Sequence, residues 1–73
     1  MAELKARIRE CRLEAGITQR AIGETIGVTV ATVCIWEAGR TPDLSSALKL
    51  ADLFGVSLDW LVTGRGEKRR RTA

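Results

Sequence analysis

No histidine occurs in the 73 residues, and the two cysteines, Cys11 and Cys34, stand far apart with no Cys-x-x-Cys pair. These absences speak against a zinc site and against a thioredoxin-like redox centre. No metal and no cofactor are therefore expected, and in a reducing compartment both thiols are expected to be free. There is no convergent carboxylate pair and no phosphate-cradling glycine loop, so an enzyme finds no support. No apolar stretch approaches the roughly 20 residues that a membrane span requires. The start, Met1-Ala2-Glu3-Leu4-Lys5, carries no signal-peptide apolar region, which makes the cytoplasm the default expectation. Strand-like alternation and internal repeats are also lacking.

What is present fits one small domain with a modest core, of a size that often folds with help from a partner subunit. The hydrophobic share of 45% is ordinary for a globular chain. The net charge of +3 is unevenly spread. Residues 1–64 carry seven Lys/Arg against eight Asp/Glu, whereas residues 65–73 carry five bases and one acid. The body is thus near neutral, and the expected division is a folded domain over 1–64 and a basic, disordered tail over 65–73. Any basic surface on the body must be local, with Arg7, Arg9, Arg20 and Arg40 as candidates.

Periodicity and punctuation predict five helices. Leu4, Ile8, Cys11 and Ala15 share a face of the first, about residues 3–15, closed by Gly16. Thr18 is placed to cap a second helix, 19–26, with Ile22 and Ile26 facing inward. Gly23 costs that helix roughly 1 kcal/mol against alanine, which makes sense where another element crosses very close. Gly27 and Val28 form a turn, and Thr29 caps a third helix over about 30–37. Pro42-Asp43 opens a fourth, with Leu44, Leu48, Ala51 and Phe54 as its buried stripe. Ser57 caps a last short helix from Leu58 to about Val62, stopped by Gly64.

The run from Thr18 to Thr29, followed by Val33 and Trp36, carries the chemistry. Two capped helices flank a glycine turn, with a small residue four positions before that glycine. This arrangement lets the second helix of the pair cross steeply and project from the surface, as a helix entering the roughly 12 Å wide major groove must. The chain resembles the Cro/CI-type (Xre) helix-turn-helix family, over about residues 4–64. The resemblance rests on Arg-Glu-Cys-Arg-Leu-Glu-Ala-Gly-Ile-Thr-Gln (9–19), the Gly23/Gly27 turn, Trp36-Glu37-Ala38-Gly39-Arg40 and Gly55-Val56-Ser57-Leu58-Asp59-Trp60-Leu61. The last string is similar to the final helix of phage 434-type repressors.

The resemblance implies an all-α, five-helix, lambda-repressor-like bundle that regulates transcription, most simply as a repressor. It implies a homodimer on a near-palindromic double-stranded DNA operator. Thr18 and Gln19 would meet a phosphate or the outermost base pair, a role that suits the free N–H groups of a helix start. Arg20 is a neighbouring candidate, and Arg40 matches a position used for backbone phosphates. Arg12 and Glu37 match a family ion pair that ties the first helix to the end of the third. Leu58, Trp60 and Val62 are the candidate dimer residues.

The third helix departs from the family pattern. Where groove-facing residues are usually Gln, Asn, Arg, Lys or Ser, this chain has Val30, Ala31, Cys34 and Ile35. Bidentate contacts to guanine or adenine are therefore absent. One reading keeps DNA as the partner, with Val30, Ala31 and Ile35 against thymine methyls and with Thr29 and Thr32 adding hydroxyl contacts. The other makes the apolar helix a protein-binding surface, as in an antitoxin-like or adaptor module. Cys11 reads as a core residue, Cys34 as an exposed thiol or a redox-sensitive site, and Trp36 and Trp60 as packing residues. Arg69, Arg70 and Arg71 read either as a solvated end or as phosphate contacts.

Overall fold

The computed structural model describes residues 3–69 and is all-α. Its five helices are α1 (Leu4–Ala15), α2 (Gln19–Ile26), α3 (Val30–Ala38), α4 (Leu44–Phe54) and α5 (Leu58–Thr63). Four of the five starts are capped by side chains. Thr18, Thr29, Asp43 and Ser57 accept hydrogen bonds from the backbone N–H groups of Ala21, Thr32, Ser46 and Trp60. Each satisfies a donor that the first helical turn leaves without an intrahelical partner.

The axes of α2 and α3 turn by 116° across the Gly27-Val28-Thr29 link. Gly27 makes that turn possible with φ of 84°, a left-handed conformation that costs glycine nothing. Gly23 is the second requirement. A Cβ built there would lie 2.6 Å from the Val28 carbonyl oxygen and 3.3 Å from the Thr29 carbonyl carbon. The close approach is therefore to the backbone entering α3.

The helices enclose one core. Ile8 and Cys11 of α1, Ile22 of α2 and Val33 and Trp36 of α3 meet Leu50, Ala51 and Phe54 of α4 and Leu61 of α5. Full burial of a Leu- or Ile-sized side chain contributes roughly 1.5–3 kcal/mol, which lets so short a chain hold together. Cys11 lies inside, where burial pushes its thiol pKa up. No single helix among the described residues is long and apolar enough to cross a membrane.

Three expectations about faces need correction. Ala15 is exposed, and Ile17, beyond the Gly16 turn, packs against the core instead. In α4, Leu44 and Leu48 are 68% and 46% exposed, while Ala47 and Leu50 are buried. The apolar stripe of α4 is wider than the face its neighbours cover, and the buried part is centred on residues 47, 50, 51 and 54. Arg7 is not a surface cation: it is buried, its Nε donating to the Leu61 carbonyl at 2.8 Å and its Nη2 to the Val62 carbonyl at 2.9 Å. A guanidinium there satisfies carbonyls that the end of α5 leaves open and complements the negative end of its dipole.

The segment expected to begin a disordered tail runs back along the body over residues 67–69. The Ser57 N–H donates to the Lys68 carbonyl at 2.9 Å, and Val56 and Arg69 form an isolated antiparallel bridge. Arg70 and Arg71, the rest of the expected phosphate-contacting run, lie outside the described residues.

Candidate nucleic-acid interface

The α2–α3 pair presents a surface built from two helix starts and one helix flank. At the start of α2, Thr18 is exposed, with its Oγ1 3.0 Å from the Ala21 N–H it accepts from, and Gln19 is half-buried. At the start of α3, the Thr29 hydroxyl accepts from the Thr32 N–H at 3.2 Å and lies 2.9 Å from the Thr32 hydroxyl. The two threonines thus brace one another, leaving Thr29 exposed and Thr32 half-buried. The flank of α3 displays Val30, 47% exposed, and Ile35, 45% exposed, with Ala31 and Cys34 exposed beside them.

Gln19 and Cys34 join the two helices. The Cys34 thiol donates to Gln19 Oε1 at 2.9 Å, which engages the carbonyl end of the amide. Spacing along the sequence gave no sign of this contact, because the two residues lie on different helices across the turn. Arg20 is exposed and forms only a loose pair with Glu24, 3.6 Å apart and four residues on. Such pairs hold a cation weakly and leave it able to meet another anion. Arg40 follows α3 and lines a shallow polar notch with Glu3, Leu4, Lys5 and Thr41. Its backbone N–H closes the end of α3 on the Ile35 carbonyl at 3.1 Å.

The arrangement is held from behind by Arg12 and Glu37. Arg12 Nε donates to Glu37 Oε2 at 2.7 Å and Nη2 donates to Oε1 at 3.2 Å, while Nη1 reaches the Ile17 carbonyl at 3.3 Å. The side chains are only 15% and 7% exposed. The hydrogen bond that the guanidinium donates to Glu37 raises its pKa further above the ordinary value. This two-pronged pair fixes the last turn of α3 against α1.

In α5, Leu58 and Trp60 are half-buried and Val62 is 40% exposed. Lys68, which sequence reasoning placed only in a tail, lies over the Trp60 ring with its ammonium 5.0 Å from the centroid. The same ammonium meets Glu10 at 2.7 Å and Glu14 at 2.9 Å. Two glutamates spaced four apart on one helix repel each other, and the Lys68 ammonium offsets that repulsion. The hydrogen bonds that Lys68 donates to Glu10 and Glu14 raise its own pKa, and the one to Glu14 lowers that of the carboxylate. The Glu14 contribution is thus complete above the ordinary carboxylate range and fades as pH falls through its lowered value. That of Lys68 is lost only as pH rises through its raised value, so the cluster is closed at neutral pH.

Comparison with known proteins gives this geometry a family. The Helix-turn-helix family model matches residues 8–61. An HTH-type transcriptional regulator of Bacillus subtilis, YgzD, is 37% identical over 62 residues, covering 80% of this chain and 94% of that protein. The repressor protein CI of Enterobacteria phage phi80 is 29% identical over 70 residues, covering 96% of this chain and 30% of that protein. Other relatives are also longer: the chain spans 55% of the Bacillus subtilis prophage regulator YonR and 20% of a Haemophilus influenzae regulator. Among solved structures, the P22 c2 repressor in complex with a synthetic operator superposes with a TM-score of 0.83 at 30% identity, over 89% of this chain and 100% of that one. The chain belongs to the helix-turn-helix family, in its Cro/CI (Xre) branch.

Proposed function

We propose that the chain is a sequence-specific, double-stranded DNA-binding transcriptional regulator, a repressor, that reads the major groove with α3. The observation that carries this reading is the superposition of its body on a repressor bound to an operator. The exposed flank of α3 on the α2–α3 pair adds to it. The binding unit is the body, residues 1–64. The protein acts in the cytoplasm by binding, without enzymatic chemistry.

In this reading Thr18 and Gln19 meet the DNA backbone at the start of α2, where free N–H groups and the positive end of the helix dipole favour a phosphate. Arg20 and Arg40, with Lys5 beside Arg40, add cations to the same strand path. Val30, Ala31 and Ile35 meet thymine methyl groups, and Thr29 and Thr32 bring hydroxyls to base edges. Apolar contacts discriminate less than bidentate ones, so DNA shape supplies part of the selectivity. Two copies related by a two-fold axis, associating through Leu58, Trp60 and Val62, would set α3 into successive major grooves about 34 Å apart on a near-palindromic operator. A protein-binding role for α3 is less well supported, since the relatives are named as regulators and repressors.

The roles assigned to the two sets of residues separate in one experiment. Sequences selected from a random duplex library define the operator, and variants are then titrated on it and on single-base changes. Val30→Ala or Ile35→Ala is expected to relax preference at one or two base pairs, by about 1–3 kcal/mol at most per position. Thr18→Ala or Gln19→Ala is expected to weaken all sequences alike. Uniform loss from Ile35→Ala would remove that residue from base reading.

A further inference from the structure

The outer flank of α3 offers base edges almost nothing that reads hydrogen bonds. Val30 and Ile35 are exposed there, with Ala31 and Cys34 exposed beside them. The polar groups nearby are already engaged. Glu37, the one acid of α3, is held by Arg12 with its side chain 7% exposed, so no carboxylate of this helix is free to accept from a cytosine amine. The Gln19 amide accepts from the Cys34 thiol at 2.9 Å through Oε1, whereas a bidentate contact to adenine needs both ends of that amide. Thr29 and Thr32 set their hydroxyls 2.9 Å apart, and either can be the donor. That pair favours neither an acceptor nor a donor on a base.

In the major groove thymine and 5-methylcytosine present the same C5 methyl group. They differ in the hydrogen-bonding edge of the pair, a carbonyl beside an adenine amine in one and an amine beside a guanine carbonyl in the other. An apolar flank senses the methyl and is indifferent to that edge. We propose that α3 recognises the C5 methyl group of pyrimidines rather than the base that carries it, so that the ligands of this protein include cytosine-methylated duplex DNA. The inference rests on the DNA-binding reading above and names the group that α3 meets there. 5-Methylcytosine·guanine then replaces thymine·adenine at the positions that Val30 and Ile35 face, whereas uracil and unmethylated cytosine do not. Occupancy of a site with cytosine at such a position depends on the methylation state of the DNA. Each methyl covered by apolar side chains changes affinity about fourfold, the effect of taking one carbon's apolar surface out of water.

The test is titration of the full 73-residue chain at low salt on a duplex enriched from a random library. Four versions carry thymine, uracil, 5-methylcytosine or cytosine at one base pair where thymine is enriched, with guanine opposite the two cytosines. Uracil differs from thymine by the methyl alone. Thymine and 5-methylcytosine are expected to bind within about twofold of each other, and uracil and cytosine about fourfold more weakly than their methylated counterparts. Val30→Ala or Ile35→Ala, whichever residue faces that base pair, should abolish the methyl dependence there. Uracil placed outside the half-sites should change nothing. Equal binding of thymine and uracil overturns the inference while DNA binding stands. So does a 5-methylcytosine duplex bound no better than its cytosine counterpart, a methyl dependence that persists in both variants, or an enriched pool without thymine. Absence of binding to every duplex at low salt overturns the DNA reading itself, and this inference with it.

Discussion

Gly23→Ala is expected to lower the stability of the domain by about 1–3 kcal/mol, the range for overpacking a filled site. The sign is the informative part. In an open stretch of helix, alanine gains roughly 1 kcal/mol over glycine. At position 23 the new methyl would stand 2.6 Å from the Val28 carbonyl oxygen. That oxygen belongs to the backbone of a tight turn, so no side chain can rotate to make room. Either α2 shifts, or the Val28-Thr29 link moves and carries the start of α3 with it. For a domain of 60–100 residues each kcal/mol corresponds to roughly 4–8 °C in Tm, well within calorimetric resolution. DNA affinity should fall along with stability, because Thr29 and Val30 sit on the displaced segment. A Tm equal to or above that of the unaltered chain would mean that the close approach does not constrain the pair.

The second large effect is expected from Glu37→Ala. It leaves the Arg12 guanidinium mostly covered, with the Ile17 carbonyl as its remaining acceptor of those described above. Breaking a fully buried pair costs about 3–5 kcal/mol and an exposed one less than about 1 kcal/mol, so a largely covered pair should lose about 2–4 kcal/mol. The penalty arises chiefly from the stranded charge. Arg12→Met combined with Glu37→Leu should therefore be markedly less damaging than Glu37→Ala alone. Urea denaturation of the unaltered chain, Arg12→Met, Glu37→Leu and their combination forms the required cycle, with Glu37→Ala measured beside it. Equal losses in the single and double variants would show that shape, not charge, holds α1 to the end of α3.

The helices were readable because their ends are written locally. Thr18, Thr29, Asp43 and Ser57 each cap a start within three residues of the N–H they serve. Gly23 and Gly27 carried the turn for the same reason. Features joining distant residues were not readable. Arg7 reaches Leu61 across 54 positions; its place between Leu4 and Cys11 on the inward face sets it apart from the exposed Arg9, but the carbonyls it meets are not local to the first helix. Lys68 meets Glu10 across 58 positions, so a basic run near the end of the chain read as solvated. In α4, periodicity identified an apolar arc without saying which part of it α1, α2 and α5 would cover, and Leu44 and Leu48 were assigned to the wrong side. The exposed apolar flank of α3 was legible from the residue types alone, and it remains the least conventional part of the candidate interface.

DNA binding through that flank is read most directly by titrating the chain with a random-sequence duplex pool at two salt concentrations and sequencing the bound fraction. Binding should appear at low salt and weaken steeply as salt rises, with a log–log slope of roughly 0.9 per phosphate contact. The enriched sequences should be near-palindromic, with half-sites about 34 Å apart and thymine at the positions that Val30 and Ile35 face. No binding at low salt would contradict the proposed function and leave the apolar helix as a surface for another protein.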